Sequence, residues 1–167
     1  ALSDIPDKFG AAEQAYLKAI EIVSRTKGPQ HQEIATAHNN LGALYLKTQE
    51  WQRAANAYAK SIALRSTLLG ERHPDTASTR IGHALALIRL GELRAAEAAL
   101  RDGIEVFTAN IGSEHWRTAN ARVHLGVALT RQKRFEEAER EINEGRRVLI
   151  GALGAAHYRV VQVEKAV

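Results

Sequence analysis

Four of the seven histidines in the chain occupy one repeating position, and a histidine can bind a metal, transfer a proton or cap a helix. They lie 42 residues apart, and each follows a glycine by three residues: His31, His73, His115 and His157. In the stretch Thr67 to Ala77 the histidine is followed by Pro74 and Asp75. The spacing therefore allows three interpretations.

A metal site is the first interpretation. Zinc ligands lie about 2 Å from a single ion, whereas equivalent positions in stacked helical units are separated by roughly 8–10 Å. Four histidines at that pitch cannot share one ion, and the chain has no Cys. No carboxylate stands at a fixed offset from all four histidines. We therefore expect no metal and no cofactor.

A catalytic base is the second interpretation. Catalysis requires one organised constellation rather than four copies, and the neighbouring Ser, Asp and Glu residues keep no consistent offset. The chain also has no glycine-rich phosphate loop, paired-carboxylate site or nucleophile motif. We therefore expect no enzymatic activity.

A junction between helices is the third interpretation, and it is the one we favour. A glycine just past a helix end is the common left-handed C-terminal cap, and proline suits the first turn of the next helix. This places His73 at or beside the N-cap and Asp75 in the first turn, where a negative charge meets the helix dipole favourably.

The same 42-residue register holds for the apolar positions. Phe9, Trp51, Leu93 and Phe135 form a large apolar column, and alanines recur three residues later. Apolar residues follow helical spacing from His31 to Thr48 and again from Trp51, so each period is a helix pair, antiparallel because the turn is short. Glycines such as Gly42 and Gly126 are expected where helices approach closely. The predicted elements are a lone second helix at about 7–26, full pairs at 32–70, 74–112 and 116–154, and the start of a further repeat at 156–167.

These columns resemble the tetratricopeptide repeat. The pattern is carried by Leu41-Gly42, Tyr45, Ala54, Tyr58 and Ser61 in the first pair, with weaker copies in the second and third. The 42-residue spacing resembles the subclass of kinesin light chains and bacterial repeat arrays. The resemblance implies an all-α, right-handed superhelical solenoid that forms a single domain over 1–167. Because the chain does not begin with Met, we expect it to be a piece of a longer protein.

The family resemblance also implies which residues line the concave groove. In such arrays the first helix of each pair faces inward, and the groove binds an extended peptide or protein segment. The residues at these positions are Thr36, Asn39, Asn40, Ala43, Lys47, Ser78, Ile81, Leu85, Arg89, Asn120, His124, Val127 and Arg131.

One column of this predicted groove is basic: Lys47, Arg89 and Arg131. Amides and apolar side chains beside a basic column suit an acidic, or mixed apolar and acidic, peptide. The alternative is that these cations only complement helix C-termini. Two other functions stay open, namely self-assembly through the repeat ends into a homo-oligomer, and a regulatory sensor for a short peptide signal.

Composition sets the remaining expectations. The net charge of +4, from 23 basic and 19 acidic residues, is too small and dispersed to predict nucleic-acid binding. No stretch reaches the roughly 18–20 apolar residues that cross a membrane, and no signal peptide is visible. We expect no nucleic-acid or membrane partner and favour a cytoplasmic location.

Overall fold

The described part of the chain forms seven α-helices and no strand. The computed structural model describes residues 4–155 and 157, and the side chains of 8–155 and 157. The helices are α1 (Asp4–Lys27), α2 (Gln32–Lys47), α3 (Trp51–Leu69), α4 (Pro74–Leu90), α5 (Leu93–Ile111), α6 (Trp116–Arg131) and α7 (Phe135–Leu153). The all-α prediction is confirmed. The predicted further repeat at 156–167 lies, apart from His157, outside the described residues.

The chain divides into two compact units. The first runs to Ala86 and the second starts at Leu87, so the boundary falls within α4. In the first unit α2 packs against α3 and α1, and in the second α6 packs against α7 and α5. Each core is built from the repeating columns, such as Ala54 and Tyr58 in the first unit and Leu100 and Leu129 in the second. None of the described helices combines the length and apolar character needed to cross a bilayer.

The repeated histidine begins a helix in each described pair. Its Nδ1 accepts a hydrogen bond from the backbone N–H two residues later, at 3.2 Å for His31, 3.1 Å for His73 and 3.1 Å for His115. Each acceptor satisfies one of the N–H groups that a helix start leaves unpaired. The prediction of a structural junction is confirmed for these three histidines.

The glycine three residues before each histidine has the predicted positive φ angle but not the ψ angle of a left-handed cap. The φ angles of Gly70, Gly112 and Gly154 are 94°, 90° and 84°, as a glycine cap requires, but their ψ angles are 159°, 158° and 151°. These ψ values lie far from the left-handed helical region, in a region essentially restricted to glycine. The chain extends here because the next helix begins four residues later, beyond an extended residue such as His115.

Close helix contacts are made where the sequence places glycine. A Cβ added to Gly42 of α2 would lie 2.8 Å from the Tyr58 ring, and one added to Gly82 of α4 would lie 2.7 Å from it. Tyr58 of α3 therefore packs between two helices that lack side chains at the contact. In the second unit, a Cβ on Gly126 would lie 2.4 Å from Ile142. The prediction that Gly42 and Gly126 mark close approaches is confirmed.

Candidate functional site

In the first unit, one face of α2 is mostly polar and stays partly accessible to solvent. Thr36, Asn40, Ala43 and Lys47 follow one another at helical spacing; the first and last are exposed and the middle two are half-buried. The opposite side of α2 is buried, with 2% of Leu41 exposed. The Lys47 ammonium makes no ion pair within residues 8–155. We call these four residues the α2 face.

The portion of α4 in the first unit contributes unequally to the predicted groove. Ser78 is exposed and Leu85 is half-buried, so part of each side chain is accessible to a ligand. Ile81 has only 8% of its surface exposed, so it supports this side of α4 from within the core.

A polar cluster that the sequence analysis missed connects α2, α3 and α4. The Thr79 hydroxyl lies 3.3 Å from Asn39 Oδ1 and 3.0 Å from the Asp75 carbonyl oxygen. Arg65 Nη1 donates to the Thr79 hydroxyl at 2.8 Å and to the Asp75 carbonyl at 2.8 Å. Asn39 is thus held by a network that reaches back to a second helix. We call Asn39, Arg65 and Thr79 the polar triad.

In the second unit, the predicted residues are engaged in contacts of their own. Asn120 Nδ2 lies 3.0 Å from His124 Nε2, which fixes the amide against the ring. Val127 is half-buried. Arg131 is exposed, yet its Nη1 donates to the Ile88 carbonyl at 2.6 Å, in the last turn of α4. This contact favours the helix-end interpretation for Arg131.

The basic column is therefore not uniform. Lys47 and Arg89 are also exposed. Of the three cations, only Lys47 has no ion pair or hydrogen bond within the described residues. Arg131, in contrast, already donates a hydrogen bond to a backbone carbonyl. The sequence could not distinguish these states, because the carbonyl that Arg131 contacts comes from another repeat.

Each unit has an ion cluster where the second helix of one repeat contacts the turn region of the next repeat. In the first unit, Glu13 accepts hydrogen bonds from Arg53 and from Tyr45 Oη, the latter at 2.8 Å. Burial, followed by the hydrogen bond to Glu13, raises the pKa of Tyr45 to about 12. In the second unit, Glu97 accepts from Arg134 at 2.7 Å and from Gln132 at 2.9 Å. Glu13 and Glu97 occupy the same repeat position, 84 residues apart.

The pKa of Glu97 reflects two opposing effects. Burial raises it, and the hydrogen bonds from Gln132, Arg101 and Arg134 lower it; the hydrogen bonds prevail, so the pKa lies below its usual range. Glu97 is thus held as a carboxylate by its partners. These clusters tie adjacent repeats together, so we assign them to stability rather than to a binding site.

Two cavities in the first unit were also missed by the sequence analysis. One of about 360 Å³ is lined by Phe9, Gly10, Glu13, Leu44, Tyr45, Thr48 and Glu50. Its carboxylates contact Arg53, and they would repel an acidic ligand. The other, of about 350 Å³, is lined by Ile20, Ser24, Pro29, Ile34, His38, Lys60, Ala63 and Leu64. Within residues 8–155 and 157, no three His, Asp or Glu side chains are grouped so that they could hold a metal ion.

Antiparallel helix pairs in a constant register, joined by identical histidine caps, define an α-helical repeat protein. The family model described as tetratricopeptide repeat matches residues 7–67, 33–109 and 75–150. The chain belongs to the tetratricopeptide repeat family.

Solved structures share this fold at low sequence identity. BtubC (BKLC) from P. vanneervenii is 18% identical with a TM-score of 0.71; the match covers 95% of this chain and 62% of that one. A Podosopora anserina protein described as a kinesin light chain with nearly identical TPR-like repeats is 16% identical, with a TM-score of 0.75 and coverage of 96% and 80%. The chain thus spans less than two thirds of BtubC. No curated protein sequence matches the chain.

Proposed function

We propose that this protein binds an extended acidic segment of another protein through the first helices of its repeats, without a catalytic step. Tetratricopeptide repeats generally mediate protein–protein interaction, which gives the class of function. The observation that carries the proposal is the α2 face, which is mostly polar, partly accessible, and ends in Lys47, a cation with no ion pair among residues 8–155.

The chemistry of the α2 face fits a peptide better than a small molecule. Asn40 has an amide that can donate to and accept from a peptide backbone. The small side chain of Ala43, one turn away, leaves room for the chain to pass. Lys47 supplies a charge for a carboxylate, and an exposed ammonium contributes mainly to encounter rate and specificity. The second unit, taken by itself, has an amide at Asn120 and an apolar side chain at Val127 on its own first helix.

Fluorescence anisotropy with a library of labelled acidic peptides tests the proposal. Replacing Lys47, Arg89 and Arg131 with Glu should weaken binding roughly tenfold or more at low salt, with a smaller loss at high salt. Lys47→Glu alone should produce the largest single effect, because Arg131 already donates to the Ile88 carbonyl and Arg89 also has an interaction within the protein.

A matched control places the same charge change on second helices. Lys60, Arg94 and Arg140 are exposed on α3, α5 and α7, and their replacement by Glu changes the net charge equally. This control should retain most of its affinity. Equal losses in both triple variants would show that binding follows net charge and not the first-helix face.

Self-assembly is a second candidate function, favoured by exposed apolar side chains on α1 and α7, the first and last of the described helices. Leu17 and Ile22 of α1 are 43% and 49% exposed, and Phe135 and Ile150 of α7 are 64% and 36% exposed. Association through these side chains would remove apolar area from water. Light scattering over a wide concentration range tests it, because a constant monomer mass excludes this function.

A further inference from the structure

The cavity of about 350 Å³ lies between α1, α2 and α3, on the side of α2 that is turned away from the α2 face. Ile34 and His38 of α2 line it, and at the helical rotation per residue they point roughly 160° away from Thr36. Ile34 is only 4% exposed, whereas Lys60 and Ala63 of α3 are exposed. The cavity therefore has an apolar floor and opens to solvent beside α3.

The charges at this cavity differ from those in the other repeats. His38 and Lys60 are both basic. Each of the two later pairs has an arginine and an acid in the same two columns: Arg80 with Asp102, and Arg122 with Glu144. Arg122 also makes an ion pair with Glu141, on the second helix of its own pair, at 2.8 Å. No carboxylate among the described residues lines the cavity of the first pair, so its basic side chains are not neutralised there.

Three polar side chains that line the cavity have hydrogen-bonding capacity to spare. Within residues 8–155 and 157, the Ser24 hydroxyl, the His38 ring and the Lys60 ammonium form no hydrogen bond and no ion pair. The His38 ring is half-buried, but neither of its nitrogens is sealed from solvent. Apolar side chains, including Ile20 and Leu64, form the walls around them. A ligand that enters the cavity therefore meets three free polar groups on an apolar surface.

We propose that this cavity binds a small soluble phosphate monoester with a short apolar body, through Ser24, His38 and Lys60. The site lies across α2 from the α2 face, so it is independent of the proposed function. A phosphate has three terminal oxygens, enough to accept from a hydroxyl, an imidazole N–H and an ammonium together, and its negative charge balances Lys60. A volume of about 350 Å³ is at the lower end for ligand pockets, which limits the apolar body to a short chain or a single ring.

Isothermal titration calorimetry with n-hexyl phosphate tests the proposal. This ester should bind roughly tenfold or more tightly than inorganic phosphate, because its chain also buries apolar area, and more tightly than hexanol, which has no charge. Hexyltrimethylammonium has the same chain with the opposite charge and should not bind. If hexyl phosphate binds no more tightly than inorganic phosphate, the apolar walls take no part and the proposal is wrong.

Single substitutions locate the ligand. Lys60→Gln removes the charge and should weaken hexyl phosphate binding roughly tenfold, whereas Lys18→Gln, the matched change at an exposed lysine of α1 outside the cavity, should not. Ala63→Leu should weaken binding by filling the opening, and its column accepts long side chains, since Glu105 and Arg147 occupy it in the other pairs. All three positions are exposed, so native helicity by circular dichroism is expected. Equal affinities of Lys60→Gln and Lys18→Gln would overturn the site.

The titration of His38 reports whether the phosphate reaches the ring. Lys60 of α3 is the charged residue that acts on the pKa of His38, and α1 contributes only the uncharged Ile20 and Ser24 to the cavity. A bound phosphate favours the imidazolium form, so saturating hexyl phosphate should move the His38 titration in histidine NMR spectra to higher pH. The titration of the helix-capping His31 should stay in place. An unchanged His38 titration would refute the assigned contact.

Two further measurements separate the source of the ligand and the two proposals. Co-sedimentation with phosphatidic acid vesicles should retain no protein; retention that Lys60→Gln abolishes would identify a lipid head group and contradict a soluble ester. Lys60→Gln should bind acidic peptides as the unaltered protein does. Hexyl phosphate binding without peptide binding would refute the proposed function and leave this site standing, and the reverse result would refute this site alone.

Discussion

Gly145 provides a direct test of how closely α6 and α7 approach. A Cβ added there would lie 2.7 Å from the Ala119 carbonyl oxygen and 2.8 Å from Val123 Cγ2. Ordinary contacts begin near 3.4 Å, so the two helices would have to separate by about 0.7 Å. Since the nearest atom belongs to the backbone, a change of side-chain rotamer does not relieve the clash. Gly145→Ala should therefore be overpacked.

Gly151→Ala is the matched control in the same helix. It lies in α7 with nothing within 4 Å of its added Cβ. Both substitutions gain helix propensity of up to about 1 kcal/mol, so the difference between them isolates the packing cost. Overpacking typically costs about 1–3 kcal/mol, and we expect Gly145→Ala to be less stable than Gly151→Ala by that amount.

Urea unfolding followed by circular dichroism measures this difference. The slope of the unfolding free energy against urea should be the same for both variants, so that the midpoints can be compared. If Gly145→Ala is as stable as Gly151→Ala, the close approach of α7 to the Ala119 carbonyl is not a constraint, and the explanation given above for close helix contacts at glycine is refuted.

Three further predictions concern caps, turns and pH. His73→Ala removes an N-cap acceptor and should lower the unfolding free energy by about 0.5–2 kcal/mol, with peptide binding unchanged. His73→Asn should restore the cap. A loss of binding at full stability would contradict the structural role of His73. Lys133 adopts a φ of 63°, so Lys133→Gly should stabilise by up to about 1 kcal/mol, and Lys133→Ala, measured beside it by urea unfolding, should not. Burial, followed by the charge of Lys60, lowers the pKa of His38 from its ordinary 6.5. The unfolded chain then binds the proton more readily, so stability present above about pH 6.5 falls as the pH drops, and His38→Gln should make the unfolding midpoint less dependent on pH across this range.

Local features of the fold could be predicted from the sequence because their causes are local. Each helix following a repeated histidine begins at the next residue, Gln32, Pro74 or Trp116, since the cap bond spans only two residues. The positive φ of Gly70 follows in the same way. Its ψ was predicted wrongly because the geometry of the whole connection, rather than the glycine itself, determines it.

The binding surface was less predictable because tertiary contacts decide which side chains remain available. Arg131 and Lys47 have equivalent positions in the sequence, yet only the first reaches a backbone carbonyl within the described residues. The signal for Arg65 was present in the column that it shares with Phe107 and Leu149. It could not be interpreted until the structure placed Thr79 and Asn39 beside it.

The histidine junction has a consequence for how such a chain can lengthen. Each histidine cap is a hydrogen bond between residues two positions apart in the chain. If the sequence is divided at the equivalent glycine of two repeats, each histidine therefore stays with the helix that it caps. A 42-residue segment taken from Gly70 to the residue before Gly112 can be duplicated or deleted without breaking a helix start. What must be matched again are the contacts between neighbours, such as Glu97 with Arg134. Growth by gene duplication is thus limited by the compatibility of adjacent surfaces, while the junctions themselves are interchangeable.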